Sequence, residues 1–423
     1  MLSLDASPNP RGKFVKEILK QGATLVVLGT GGVGKTTIAA ALGLAAAMAG
    51  LDTGVITVDP ARRLRDALGI DRLSSHPIRL EARRLRAAGL DPALRLSAMV
   101  LDVKRTWDGL VDRFVAAPEA RRRILENSFY RSLTEQFAGA EAYAALDQLH
   151  DLHGRFETAI VDTPPAAHAF EFIEAPDHLV RLLDSRAARW LFLPYTSANR
   201  RALGLASRAA RMVVKQLENF AGVRMLAAIS DFFDAAAQAT VAIGDRFRQT
   251  AALMRSANVH FILVTTPEED RLKQARILIR QMEAAKLKLR AVVLNRTSSD
   301  LTFDALRAAP RKLPTHLAEI AALVPRDSSN QRLGALLNYL EDYRAGQRAA
   351  LERALHFGRE LPAQVKLVVV PETAAGVSDL RILAKIASIL IDADTGRRFL
   401  TDAAAAFASP PARRTPAVRR ALS

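Results

Sequence analysis

The nine residues GTGGVGKTT, at positions 29–37, are the stretch that decides the fold of this 423-residue chain. Gly29, Gly34, Lys35 and Thr36 satisfy the spacing G-x-x-x-x-G-K-[ST] of a phosphate-binding loop. The run TLVVL before the loop predicts a strand buried on both faces. The run IAAAL after it predicts a helix. An ordinary glycine-rich turn is the alternative, and the order strand, loop, helix argues against it.

A loop in this position presents backbone N–H groups and the positive end of a helix dipole to phosphate. We expect the Lys35 ammonium to reach the β- and γ-phosphates and to take part in catalysis, and the Thr36 hydroxyl to bind Mg²⁺. The predicted phosphate-binding residues are Gly29, Thr30, Gly31, Gly32, Val33, Gly34, Lys35, Thr36 and Thr37.

Six further apolar runs predict strands, and helical patterns separate most of them. The runs lie at 54–58, 98–101, 158–161, 259–264, 291–294 and 366–370. This alternation predicts an α/β protein with a doubly wound, mainly parallel sheet.

The stretch 166–257 predicts no strand, and its amphipathic patterns favour an inserted α-helical subdomain. We therefore predict one domain over residues 13–400, with its core at about 20–165 and 258–395. Residues 401–423 form a basic tail that we expect to be disordered.

Polar residues follow several predicted strands, where ligands of doubly wound sheets bind. Asp59 follows the second strand and could deprotonate a water molecule, although an Asp before Pro is also a common helix start. Asp162 has the position of a Walker-B carboxylate that holds Mg²⁺, with a turn or cap role as the alternative. Asn295 could pair with a purine edge or serve as a turn residue.

The composition is that of a soluble enzyme without thiols. The chain has no cysteine, which excludes disulfides, thiolate metal sites and a cysteine nucleophile. Its longest uncharged apolar stretch, 36–51, is shorter than the roughly 20 residues that span a bilayer. Residues 1–12 contain no apolar region of a signal peptide. The net charge is +16, but the basic residues are spread along the chain, so nucleic acid is not an expected partner.

Four separated motifs resemble those of the ArsA-like ATPases, a family of arsenite-pump ATPases and of ATPases that target tail-anchored membrane proteins. They are the phosphate loop, a first switch segment Asp59-Pro60-Ala61-Arg62-Arg63, a second switch segment Asp162-Thr163-Pro164-Pro165 with His168, and Asn295-Arg296. The resemblance extends from about Ala23 to Ile391. The family belongs to the dimer-forming P-loop NTPases with a deviant Walker-A motif.

The resemblance implies ATP and Mg²⁺ as cofactors and ATP hydrolysis as the reaction. It implies that Asp59 activates water, that Thr36 and Asp162 organise Mg²⁺, that Asn295 with Arg296 binds adenine, and that the loop from Pro371 covers the base. It further implies a cytoplasmic homodimer whose helical surface changes with nucleotide state. Its partner would be an unidentified client protein or membrane partner, through which it becomes peripheral to the membrane.

Departures from the family pattern define the alternatives. Thr30 occupies the position of the signature lysine that reaches across the dimer, and without cysteine neither thiolate-bound arsenite nor zinc is expected. One alternative is a nucleotide-gated interaction module with little turnover, unless Arg62 or Arg63 supplies the missing charge. The other is a partition or septum-type ATPase, against which Thr30 and the lack of an amphipathic C-terminal helix argue.

Overall fold

The computed structural model covers the predicted phosphate loop and most of the predicted sheet. It describes residues 22–58, 62–136, 138–152, 155–163, 223–237, 239–297, 349–372 and 379–391, together with Ile18, Asp342 and Gly346. The predictions for Asp59, for the first part of the helical insert and for the tail at 401–423 lie outside the described residues.

One eight-stranded sheet forms the centre of the described structure. Its strands are β1 (Ala23–Gly29), β2 (Thr53–Thr57), β3 (Ile78–Arg79), β4 (Leu96–Val100), β5 (Thr158–Asp162), β6 (Val259–Thr265), β7 (Leu289–Thr297) and β8 (Lys366–Pro371). Their spatial order is β3-β4-β2-β5-β1-β6-β7-β8. All neighbours are parallel except β3, which runs antiparallel to β4. The predicted α/β fold with a doubly wound, mainly parallel sheet is confirmed.

Helices connect the strands and cover both faces of the sheet. They are α1 (Lys35–Met48), α2 (Arg62–Leu68), α3 (Ala82–Ala87), α4 (Val103–Phe114), α5 (Pro118–Glu126), α6 (Ser128–Gln136), α7 (Ala138–Leu152), α8 (Val223–Ala236), α9 (Thr240–Met254), α10 (Glu269–Ala284), α11 (349–360) and α12 (Leu380–Ile391). None of these described helices combines the length and the apolar character that crossing a bilayer requires.

Helix α1 is rich in small residues and approaches the sheet closely at Gly43. Ten of its fourteen residues are Ala, Gly, Thr or Ile in the sequence KTTIAAALGLAAAM, and the helix packs on β2 and β5 as well as on α12. A Cβ atom on Gly43 would collide with the Val55 side chain. Glycine is therefore required where α1 crosses β2, and the close packing fixes the phosphate loop from which α1 starts.

A layer of helices covers the face of the sheet opposite to α1. It includes helices that precede β5 in the sequence and helices that follow it. Helix α8 packs on α5 and α6, where Arg123 forms ion pairs with Asp231 and Asp234, and Asn127 Nδ2 donates to the carbonyl oxygen of Ala228 at 2.9 Å. The described residues of the predicted insert, from 223 to 254, are helical apart from the short connection between α8 and α9. The division into a core and an insert stays a prediction.

A buried ion pair joins this layer to the helix that enters β5. The Arg246 Nε atom on α9 lies 2.5 Å from Asp147 Oδ1 on α7, and both side chains are almost fully shielded from solvent. Such a pair is costly to break, because removing one partner leaves an uncompensated buried charge. Helices α7 and α9 are therefore held in a fixed relative position.

Candidate functional site

The phosphate loop lies between β1 and α1, as predicted. Gly32 and Gly34 adopt left-handed backbone conformations, with φ of 78° and 90°. Gly34 is the N-cap of α1, which begins without a side-chain cap and without an acidic residue in its first turn. The first N–H groups of a helix need an external acceptor, so this helix N-terminus fits a phosphate group.

The Lys35 side chain is folded over the loop that it follows. It is only 7% exposed, and its Nζ atom lies 3.5 Å from the carbonyl oxygen of Thr30. The structure therefore places the ammonium group against the loop, where we expected it to meet phosphate. Thr36, the predicted magnesium ligand of the loop, is the second residue of α1 and is 8% exposed.

Asp162 ends β5 and is held by the neighbouring strand β2. The Thr57 hydroxyl donates to Asp162 Oδ2 at 2.9 Å, and the backbone N–H of Val58 donates to the Asp162 carbonyl oxygen at 3.1 Å. On the other side of β5, the Thr163 hydroxyl donates to the carbonyl oxygen of Val27 in β1 at 2.8 Å. The start of the predicted second switch is thus bonded to both neighbouring strands.

Asp162 lies on the same face of the sheet as the helix that carries Lys35 and Thr36. Side chains alternate between the two faces of a strand, and Ile160 of β5 belongs to the core cluster that contains α1. Asp162, two residues later, therefore projects to the α1 face, and α1 packs on β5. The predicted metal ligands Thr36 and Asp162 share one face at the carboxyl edge of the sheet.

Asn295 contacts the phosphate loop directly, which the sequence did not reveal. Its Nδ2 atom donates to the carbonyl oxygen of Val33 at 2.7 Å, and the side chain is 6% exposed. A Cβ atom on Gly34 would collide with the same Nδ2 atom. Because the two partners are 262 residues apart in the chain, no local pattern could have predicted this bond.

The other predicted adenine residues lie near the ends of β7 and β8; Asn295 and Arg296 are inside β7, which is longer than the predicted strand 291–294. Arg296 is exposed and has a φ of 54°, and Pro371 ends β8, where the register with β7 shifts between Leu294 and Thr297. These positions place both residues at the carboxyl edge of the sheet. A role of Asn295, Arg296 and Pro371 in binding adenine stays a prediction.

Thr30, at the position of the signature lysine, is buried within its own chain. Its side chain is 2% exposed, and its hydroxyl has no hydrogen-bond partner among the residues that the structure covers. A buried side chain does not project toward a second subunit. The loop therefore has no cationic side chain at this position.

Comparison with known proteins identifies the family. Residues 23–307, more than half of the chain, match the family model described as anion-transporting ATPase. The chain belongs to this family. The resemblance to the ArsA-like ATPases is confirmed, and membership classes the chain as an ATP hydrolase.

Individual relatives share low identity with this family member. The ATPase ASNA1 homolog of Babesia bovis is 24% identical over 284 residues, which cover 66% of this chain and 67% of that protein. An arsenical pump-driving ATPase of Escherichia coli is 28% identical over 151 residues, or 36% of this chain and 22% of that protein. An uncharacterised protein of Streptomyces coelicolor is 32% identical over 211 residues, or 48% of this chain and 45% of that protein. The chain thus spans less than half of the length of the last two relatives.

Proposed function

We propose that this ATPase is Mg²⁺-dependent and converts its nucleotide state into a change of its helical surface. The observation that carries the proposal is the strand order at the centre of the sheet. Strand β5 lies between β1, which carries the phosphate loop, and β2, which leads into Asp59. One strand therefore connects the nucleotide site with both predicted switch segments.

The residues around the loop fit ATP with Mg²⁺. Mg²⁺ prefers oxygen ligands and is usually held by one or two protein groups together with phosphate oxygens and water. Thr36 supplies a hydroxyl and Asp162 a carboxylate on the same face, and the described residues contain no cluster of three or more His, Asp or Glu that could hold a metal alone. When bound, Mg²⁺ neutralises charge on the β- and γ-phosphates.

The roles of the protein groups in hydrolysis follow from their positions. Asp59 comes two residues after the end of β2 and would accept a proton from the water that attacks the γ-phosphorus. The bond between the γ-phosphorus and its bridging oxygen then breaks, and Lys35 stabilises the negative charge that develops on the phosphates. The backbone N–H groups of the loop hold the phosphates in place.

The helical layer is connected to the site through β5. Helix α7 enters β5 after a short connection and carries the buried ion pair with α9. We infer that a shift at the end of β5 moves α7, α9 and the α5–α6–α8 group, which together present the client surface. The proposed assembly is a cytoplasmic homodimer that acts on a client protein or a membrane partner.

Hydrogen exchange in three nucleotide states tests this proposal. We expect ATP with Mg²⁺, but not ADP with Mg²⁺, to change the exchange of α5, α6 and α8 relative to the nucleotide-free protein, alongside ATP hydrolysis that stops in EDTA. Light scattering of the same samples reports the oligomeric state. Identical exchange in all three states, with hydrolysis intact, would refute the switching role while leaving the ATPase assignment in place.

A nucleotide-gated module with little turnover is the second candidate, and the buried Thr30 favours it. An arginine supplied to the γ-phosphate accelerates phosphoryl transfer by about 10³–10⁵, and Arg62 and Arg63 are the last two residues of the predicted first switch and the first two of α2. If they supply this charge, alanine at either position should slow hydrolysis far more than alanine at Arg83 or Arg84 on α3. Equal, negligible effects together with slow turnover would favour the module.

A further inference from the structure

We propose that Thr57 is a positioning residue that orients Asp162 for cation binding and bonds the strand before the first switch to the start of the second. The inference rests on the proposed Mg²⁺-dependent ATPase. It concerns a side chain outside all of the motifs that the sequence analysis selected, because Thr57 precedes Asp59 by two residues and resembles an ordinary strand threonine.

Thr57 and Asp162 lie side by side in the sheet. They are register partners in the parallel pair β2–β5, and both are 0% exposed. The Thr57 carbonyl oxygen accepts the N–H of Leu101 at 2.9 Å, and the Asp162 carbonyl oxygen accepts the N–H of Val58 at 3.1 Å. The backbone therefore holds the two side chains at the separation at which the 2.9 Å hydroxyl–carboxylate bond forms.

The chemistry of this bond suits a carboxylate that serves a cation. A hydroxyl that donates to Oδ2 satisfies one oxygen of the carboxylate and selects one side-chain rotamer. In that rotamer Oδ1 is the oxygen that we assign to the cation or to its water shell. Without the donor, a carboxylate buried to this extent loses an important stabilising partner, because buried ions require hydrogen bonds.

The bond also links the start of the second switch to the strand that leads into the first. When Asp162 moves toward a cation and its nucleotide, Thr57 Oγ1 and Val58 N must follow or the two bonds must lengthen. Asp59 is the next residue in the chain, so we expect a change in these bonds to be passed on to it. Thr57 would thus make the water-activating segment respond to the occupancy of the metal site.

The test compares three variants by nucleotide binding rather than by turnover. Thr57→Val removes the hydroxyl and keeps the shape, and Thr57→Ser keeps the hydroxyl. Thr53→Val is the matched control, because Thr53 is also 0% exposed, lies on the same face of the same strand, and uses its hydroxyl to bond the Leu51 carbonyl oxygen at 3.1 Å, far from the site. Calorimetry measures the affinity for ADP and for a non-hydrolysable ATP analogue, with Mg²⁺ and in EDTA.

The gain due to Mg²⁺ is the ratio of the nucleotide affinity with Mg²⁺ to the affinity in EDTA. We expect Thr57→Val to reduce this gain by about tenfold, the effect of losing a hydrogen bond to a charged group. Affinity in EDTA should stay unchanged, since the phosphate loop is intact, and Thr57→Ser should restore most of the gain. Thr53→Val should keep the wild-type gain even if it lowers the melting temperature as much as Thr57→Val.

Two outcomes would overturn the inference. One is an unchanged Mg²⁺ gain in Thr57→Val, and the other is an equal loss in Thr53→Val, which would indicate general destabilisation. A wild-type protein that binds nucleotide equally well with Mg²⁺ and in EDTA, or not at all, would instead contradict the proposed function, so the two failures are distinguishable.

Discussion

Alanine substitutions at four glycines of the phosphate loop separate two physical reasons for which glycine is needed there. Gly31 has neither a left-handed φ nor a neighbour within 4 Å of an added Cβ, and Gly32 has only the left-handed φ of 78°. Gly29 has an ordinary φ, but an added Cβ would collide with a backbone carbonyl oxygen of β6. Gly34 combines a φ of 90° with a collision against Asn295.

The expected losses of stability follow from two causes, a left-handed backbone conformation and the collision of an added Cβ. Gly31→Ala should change stability little, or raise it by about 0.4–1 kcal/mol through the entropy of the unfolded chain. Gly32→Ala should cost about 1–2 kcal/mol, the price of a left-handed residue with a Cβ. Gly29→Ala should cost about 1–3 kcal/mol, because a carbonyl in the centre of the sheet cannot move aside. Gly34→Ala should cost roughly 2–5 kcal/mol, the sum of both terms.

The assay is the free energy of unfolding from urea titration, compared at a constant m value. A double-mutant cycle isolates the collision at Gly34, because Asn295→Ala removes the colliding atom and leaves the backbone strain. We expect the Gly34→Ala cost to fall by about 1 kcal/mol or more in the Asn295→Ala background. The same cycle with Gly32→Ala should be additive, since nothing lies near that Cβ.

Either of two results would refute this reasoning. If Gly31→Ala were as costly as Gly34→Ala, neither local space nor backbone conformation would determine the tolerance of the loop. If the Gly34–Asn295 cycle were additive, Asn295 would not lie against the loop in solution, and its bond to Val33 would not brace the phosphate site.

Three further substitutions test the catalytic assignments and the helical layer. Lys35→Ala should abolish tight ATP binding, because it removes the charge that the loop directs at the β- and γ-phosphates; unchanged affinity in calorimetry would contradict the assignment. Asp59→Asn should keep ATP binding but suppress hydrolysis in a steady-state assay. Turnover at the wild-type rate would indicate that Asp59 serves only as a helix cap. Asp147→Asn should destabilise the fold by about 3–5 kcal/mol in urea, because the Arg246 charge stays buried. Asp245→Asn removes an exposed ion pair on α9, the helix that carries Arg246, and should have little effect on stability. Equal losses of stability in the two variants would contradict this account.

The fold could be predicted because parallel strands buried on both faces are almost purely apolar. The seven predicted runs are all strands, since each is long enough to be recognised without its neighbours. Strand β3 was missed because it contains only two residues, one of them the exposed Arg79, and pairs at the sheet edge. The order of the strands lay beyond local patterns, and only that order shows that β5 lies between β1 and β2.

The candidate site likewise has features that the sequence could predict and contacts that it could not. The position of the loop between a strand and a helix could be predicted, because its pattern is encoded in the nine consecutive positions 29–37, whereas its binding of phosphate stays a prediction. The contacts of Thr57 with Asp162 and of Asn295 with Val33 could not, because they join residues 105 and 262 positions apart. A threonine at the end of a strand and an asparagine near the end of a strand look the same in sequence whether or not they bond to a distant part of the site.

The strand order also determines when the protein can first acquire its nucleotide pocket during synthesis. Strand β1 ends at Gly29, but one of its two neighbours, β6, begins only at Val259. At about 5–20 residues per second, a ribosome needs roughly 10–50 s to translate the intervening stretch. Throughout that interval the loop-bearing strand has at least one unpaired edge, so nascent chains of this ATPase are exposed to aggregation long before ATP can stabilise them.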